Sequence, residues 1–266
     1  MEIKFEKWQG LGNDFIILND DIATGELAKK MCDRKFGIGA DGLFCVTDSK
    51  IADIGWKFFN SDGTVAQMCG NGIRCFAKYV KKHNLINKDK FSVETLAGII
   101  SPEILDNGNV LVDMGEPVFD VEKIPVKAQS YNRIVVQDFD ATAVSMGNPH
   151  CVIFTDEDSE IMAKSFGPTI ETDEIFPEKT NVEFVNIISK DKVRMNVWER
   201  GCGITLACGT GACATVVAGV CRELISKKTD VILPGGILNI FYDQDETKHV
   251  YMQGPAEFVF SGVYCH

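Results

Sequence analysis

Two cysteines stand out because each opens a Cys-Gly-x-Gly tetrad. Cys69-Gly70-Asn71-Gly72 and Cys208-Gly209-Thr210-Gly211 lie 139 residues apart (208 − 69). Each tetrad precedes a helix-compatible run, residues 76–82 in the first and 212–220 in the second. A glycine turn opening a helix leaves backbone N–H groups without intrahelical partners, and the helix dipole adds partial positive charge there. Such a mouth holds an anion such as a carboxylate well. A thiol at the same place is expected to have a lowered pKa and to be partly thiolate. Each tetrad can therefore grip a carboxylate and present a sulfur base beside it.

The flanks repeat as well. Asn60 stands nine residues before Cys69, and Glu199 nine before Cys208. Gly12-Asn13-Asp14-Phe15 is mirrored by Gly147-Asn148-Pro149-His150. Three matches in order at nearly constant offset indicate an internal duplication with divided labour. The other cysteines lack a Gly-x-Gly on their C-terminal side, and are expected to be small inert hydrophobes.

Several elements must position these residues. Residues 3–8, 15–18, 43–46 and 54–59 are expected strands, and 27–34 a helix. Gly37-Ile38-Gly39-Ala40-Asp41-Gly42 matches G-x-G-x-x-G, but it comes after a helical pattern rather than a strand, so a tight turn is expected and not a dinucleotide site. After the first central helix, to about His83, residues 91–94, 98–105 and 109–114 read as strands. In the second half the expected strands are 134–136, 141–145, 151–154, 182–188 and 192–198, with a short helix at 161–166. Strands 231–233, 237–242 and 249–253 come after the second central helix, and 257–264 is a last strand able to return to the first half. The expected fold is α+β: two pseudo-symmetric domains, each a mostly antiparallel sheet around a central helix. The expected boundaries are 1–116 and 117–254, with a strand at about 255–266 joining the first domain.

The 266 residues suffice for two domains of this size. The 45% hydrophobic and 24% charged content is that of an ordinary globular protein. A net charge of −11 with no basic stripe argues against nucleic acid as a partner. No apolar run approaches membrane-spanning length, so no membrane partner is expected. Met1 opens a strand-like segment with no signal-peptide pattern, and no Asn-x-Ser/Thr acceptor occurs. With ten cysteines this points to a reduced, cytoplasmic protein. No C-x-x-C pair occurs and histidines number four, so no metal site is expected.

These motifs resemble the diaminopimelate epimerase family. The resemblance is carried, in order, by residues 10–15, 37–42, 59–63, 68–75, 147–150 and 199–212. It implies two barrel-like domains with the substrate between them, a homodimer, no cofactor, and a small-molecule amino-acid substrate bearing a second carboxylate. It implies LL-2,6-diaminopimelate as that substrate, converted to the meso isomer for lysine and peptidoglycan precursor synthesis. Cys69 and Cys208 become the two acid/base groups, one thiolate and one thiol, on opposite faces of the α-carbon. The N–H groups of Gly70, Asn71, Gly209 and Thr210 hold the α-carboxylate. Arg200, with Asn60 and Asn181, meets the distal carboxylate. Glu199 accepts from an ammonium group, Asn13 and Asn148 line the site, and His150 with Glu199 supports the catalytic geometry. Gly42 departs from relatives that carry glutamine there. Two rivals remain: a racemase of another amino acid, such as histidine, on the same fold, and a thiol redox protein that works through a Cys69–Cys208 disulfide.

Overall fold

The computed structural model describes residues 2–265, and its chain divides into two units. The first comprises residues 2–113 and 254–265, the second 114–253.

The first unit is built on a mixed sheet ordered β18-β1-β2-β3-β4-β5-β6, formed by β1 (Glu2–Gly10), β2 (Asn13–Leu18), β3 (Gly42–Thr47), β4 (Ile54–Asn60), β5 (Val93–Thr95), β6 (Gly98–Ile100) and β18 (Glu257–Cys265). A small hairpin, β7 (Glu103–Ile104) with β8 (Val110–Asp113), lies in the first unit but outside that sheet. The β2–β3 and β4–β5 pairs are parallel and the remaining pairs antiparallel. Strand alternation gives the sheet two apolar faces. Ile16, Leu18, Leu43 and Cys45 pack with Leu27, Ala28 and Met31 of α1 (Gly25–Cys32). On the other side Phe15, Phe44, Trp56 and Phe58 form an aromatic cluster that Phe76 of α2 (Gly70–Lys82) joins.

Thr24 caps α1, its hydroxyl accepting from Leu27 N. The glycine run at 37–42 folds back over the other end of that helix, where Ile38 N and Gly39 N bond Met31 O and Ala40 N bonds Cys32 O. A Cβ on Gly37 would lie 2.1 Å from Lys30 O. The glycines thus cap a helix C-terminus, as a turn signal should.

The second unit repeats this topology. Its strands are β9 (Ile134–Val136), β10 (Phe139–Ser145), β11 (Pro149–Phe154), β12 (Asn181–Ser189), β13 (Lys192–Glu199), β14 (Gly203–Ile204), β15 (Lys228–Leu233), β16 (Gly236–Tyr242) and β17 (Val250–Gly254). The path β10-β11-β12-β13-β15-β16 matches β1-β2-β3-β4-β5-β6 strand for strand, with parallel pairs at the same two places. α3 (Ser159–Glu171) joins β11 to β12 as α1 joins β2 to β3, and α4 (Gly209–Cys221) comes after β13 as α2 comes after β4. Val182, Phe184, Cys151 and Ile153 pack with Ala163 and Ile170 of α3.

α3 runs well past the expected 161–166. Pro168 lies inside it, where proline normally ends a helix. Packing carries it onward: Ile170 and Glu171 are buried, and Gly167 lets the helix approach Trp198 so closely that a Cβ would lie 2.5 Å from the Trp198 Cβ. Among the described residues no helix is long and apolar enough to cross a membrane.

Candidate active site

Registers in the two units pair the key positions. In the parallel ladders Phe15 lies opposite Gly42, and His150 opposite Asn181. In the adjoining antiparallel ladders Gly42 pairs Asn60, while Glu183 pairs Val197 and so sets Asn181 against Glu199. Asn13 therefore corresponds to Asn148, Phe15 to His150, Gly42 to Asn181, Phe44 to Glu183 and Asn60 to Glu199.

Cys69 and Cys208 occupy the same structural position. Each is the N-cap residue of its unit's buried helix, with extended backbone. The second glycine of each tetrad is required by close approach. A Cβ on Gly72 would lie 2.4 Å from Phe44 Cζ, and one on Gly211 would lie 2.7 Å from Glu183 Oε1.

In the first unit the Cys69 sulfur caps α2, accepting from Gly72 N at 3.4 Å. The thiol lies 3.6 Å from Asn13 Oδ1, which also accepts from Asn71 Nδ2 at 3.2 Å. Asn13 Nδ2 in turn donates to Asp41 Oδ2 at 2.6 Å. Arg34 bonds Asp14 with both terminal nitrogens and Asp41 with one. Burial alone would raise the Asp14 carboxyl, but Arg34 and Lys7 outweigh it and hold Asp14 below its usual range. The expected site residues Cys69, Asn13, Gly70 and Asn71 thus come together. Asn60 ends β4, its amide donating to Thr64 Oγ1 at 3.0 Å within the adjoining turn.

The second unit differs at its helix mouth. The Gly211 N–H of its own helix favours the Cys208 thiolate, but without the geometry of a cap hydrogen bond. Its sulfur lies 3.5 Å from Thr210 Oγ1 and also meets the Glu199 carboxylate. The expectation of a lowered thiol pKa fails here. Burial pushes the Cys208 thiol well above its ordinary value, and the negative charges of Glu199 and Glu183 push the same way. These effects outweigh the opposing hydrogen bonds from Thr210 and Gly211. Glu199 accepts a short hydrogen bond from Thr205. Burial raises the Glu199 carboxyl despite the opposing bonds from Thr205 and Cys208.

His150 lies inside β11 rather than in the preceding turn, and is fully buried. Its Nδ1 is 2.6 Å from Glu183 Oε1 and its Nε2 3.0 Å from Asn148 Oδ1. Asn181 is also buried, and its amide bonds backbone at both ends: Nδ2 donates to Pro149 O at 2.8 Å, and Oδ1 accepts from Arg200 N at 2.9 Å. It ties the Asn148-Pro149-His150 segment to the Glu199-Arg200-Gly201 turn. Glu171 braces that turn from the end of α3, accepting from Gly201 N at 2.9 Å and Trp198 Nε1 at 2.7 Å. Arg200 is exposed, with NH1 donating to Glu178 O at 3.2 Å. Glu199, Cys208, Gly209, Thr210, His150 and Asn148 thus form one cluster.

Sequence reasoning missed Asp41, Glu171 and Glu183. Glu183 had a signal, being the one charged residue in the apolar run Val182-Glu183-Phe184-Val185. Among the described residues no group of His, Cys, Asp and Glu is arranged to hold a metal ion.

A family model described as diaminopimelate epimerase matches residues 5–120 and 142–259. The chain belongs to the diaminopimelate epimerase family. It is 50% identical over 275 residues to a diaminopimelate epimerase of Carboxydothermus hydrogenoformans, covering 98% of this chain and 99% of that one. It is 46% identical over 286 residues to a chloroplastic diaminopimelate epimerase of Oryza sativa subsp. japonica, covering 99% and 80%. Solved structures share the fold at much lower identity. A Bacillus anthracis phenazine biosynthesis protein of the PhzF family superposes with a TM-score of 0.73 at 15% identity over 100% of both chains. A probable proline racemase from Agrobacterium radiobacter gives 0.69 at 12% over 99% and 93%. The diaminopimelate epimerase family thus shares its two-unit α+β architecture with proteins of other names.

Proposed function

We propose that this protein is an isomerase that epimerises LL-2,6-diaminopimelate to the meso isomer, without a cofactor, using Cys69 and Cys208 as paired acid and base. The observation that carries this reading is the duplicated helix mouth: each unit buries one helix, and the N-cap of each is a cysteine with Gly-x-Gly after it. The family match supplies the substrate.

In this scheme one thiolate takes the α-proton as H⁺. The electron pair left on carbon spreads into the α-carboxylate as an enediolate. The other thiol then gives its proton to the opposite face, so the two sulfurs end with their protonation exchanged. The charge that develops on the carboxylate needs fixed donors, and the N–H groups of Gly70, Asn71, Gly209 and Thr210 at two helix N-termini suit it. Burial and the neighbouring carboxylates favour the thiol form of Cys208. Arg200 and Asn60 are the groups assigned to the distal carboxylate. Asn181 acts by fixing the Arg200 turn. Asn13 and Asn148 orient groups at the two mouths, and Glu199 takes the substrate ammonium.

The protein would act in the cytoplasm in lysine and peptidoglycan precursor synthesis. All ten cysteines lie among the described residues and none is in a disulfide. A homodimer fits the outer strand β18, which exposes Phe258, Val259, Phe260 and Val263. Neither a membrane nor nucleic acid enters the scheme.

The test is incubation of reduced protein with LL-diaminopimelate in deuterium oxide, monitored by NMR. Loss of the α-proton signal with appearance of the meso isomer is expected, and Cys69→Ala and Cys208→Ala should each abolish inversion. Exchange only with another amino acid, such as histidine, would overturn the substrate. Turnover by either alanine variant would sink the two-thiol scheme, and activity that requires the oxidised protein would favour a redox role.

A further inference from the structure

The internal repeat allows each position to be compared with its twin. In the first unit Phe15 and Phe44 pack behind the Cys69 helix mouth, their tilted rings 4.8 Å apart between centroids. In the second unit the same two topological positions hold His150 and Glu183, joined at 2.6 Å. Both side chains are fully buried. Phe44 presses on Gly72 and Glu183 presses on Gly211, at the equivalent turn of each helix. One mouth is therefore backed by an apolar pair and the other by a histidine–carboxylate pair.

The fold does not need the charged version, since the first unit builds the same junction from two phenylalanines. The charged version is also costly. Glu183 Oε2 is buried and meets no hydrogen-bond partner among the described residues. A half-satisfied buried carboxylate is less stable than a well-packed apolar residue of similar size. A group kept at such cost, against the reactive end of a helix, is a candidate for function.

We propose that Glu183 is a positioning residue that acts through His150 on the Cys208 half of the reaction. Its Oε1 bonds Nδ1 and so fixes the ring with Nε2 against the Asn148 amide. The ring so held faces Glu199, which in turn meets the Cys208 sulfur. The groups around the pair are Cys151 on its own strand, Glu199 on β13 and Cys208 at the α4 mouth. The Cys69 mouth has two phenylalanines in the same place, so the two thiols differ by construction. The proposal rests on the two-thiol reading above.

The overall equilibrium fixes the ratio of kcat/KM for the two directions, so a defect at one thiol lowers both equally. Primary isotope effects are not so bound. The experiment uses substrate deuterated at the reacting carbon, run from the LL isomer and from the meso isomer, with wild type and Glu183→Gln. We expect kcat/KM to fall about tenfold in both directions, as when the outer partner of an orienting histidine is removed. The isotope effect on kcat/KM should rise with the isomer whose proton passes to Cys208 and fall with the isomer whose proton passes to Cys69. A double variant, His150→Phe with Glu183→Phe, copies the first unit's pair and should give the same opposed changes if Glu183→Gln fails to fold. Isotope effects that move together in both directions would reduce Glu183 to a structural role, and unchanged kinetics would refute the proposal. Absence of α-proton exchange in the wild type would instead overturn the two-thiol reading itself.

Discussion

The Asn13 amide oxygen lies 3.6 Å from the Cys69 sulfur, and the nitrogen of the same amide is held 2.6 Å from Asp41. Asp41 thereby decides which end of the amide faces the thiol. Its own position is set by Arg34 and by Asp14 N. Removing the carboxylate frees the amide to turn its nitrogen toward the sulfur. Asp41→Ala should lower kcat by about tenfold and cost about 1–3 kcal/mol of stability, the worth of a charge-assisted hydrogen bond. Steady-state kinetics and urea unfolding check both. Wild-type kcat in this variant would show that Asn13 does not depend on Asp41.

The glycines at the two helix mouths should respond differently to an added methyl group. At Gly72 the methyl would strike the buried, ring-packed Phe44, so Gly72→Ala should destabilise the fold by about 1–3 kcal/mol through overpacking. At Gly211 it would meet the Glu183 carboxylate, the end of a side chain already bonded to His150. Gly211→Ala should therefore cost less stability but more activity, because it displaces the pair. Thermal unfolding and kcat/KM measured on both variants decide this. Equal losses of stability and activity at the two positions would contradict it.

How much of this was legible beforehand depends on where each signal lies. The cysteine tetrads and their flanks announce themselves because they occur twice in similar local sequence. The central helices and most strands are readable from short-range periodicity. The His150–Glu183 pair was invisible for a physical reason. It depends on the parallel register of β11 and β12, which are separated in the chain by the whole of α3, and local periodicity carries no information about that register. The same holds for Glu171, which reaches the Arg200 turn only because α3 continues through Pro168. The thiol environment was misjudged because a helix N-terminus is readable in sequence, whereas the burial and the two carboxylates that outweigh it are not.

Arg200 and Asn181 should fail differently when replaced. Arg200 is exposed and bonds the backbone of Glu178, so its guanidinium can meet a second acceptor. Arg200→Ala should raise KM about ten- to a hundredfold, the loss of a hydrogen-bonded charge contact, with little change in stability. Asn181 is buried and bonds backbone at both ends of its amide. Asn181→Ala should cost about 1–3 kcal/mol of stability through its unsatisfied partners, and should raise KM only by disordering the turn. Calorimetric binding of substrate to the two variants separates these effects. An Arg200→Ala variant with unchanged affinity would remove it from the distal-carboxylate site.

Alkaline pH should unfold this protein through its buried thiols. Burial pushes Cys32 and Cys75 to about 12 and Cys45 to about 11, and pushes Cys151 and Cys208 well up. In the unfolded chain a thiol ionises near its ordinary value, about 8.5. The folded values lie above the unfolded ones, so the folded state holds more protons across the interval between them. Stability is then full below about pH 8.5 and is lost as pH rises toward the folded values. Each such thiol contributes a slope of about 1.4 kcal/mol per pH unit once its unfolded counterpart is ionised. Urea midpoints measured under reductant should be level between pH 7 and 8 and fall steeply from about pH 9 to 11. Cys45→Ala should make that fall shallower by the slope of one proton, because it removes one raised thiol while leaving the others in place. Midpoints independent of pH up to 11 would mean that these thiols are not sealed from water.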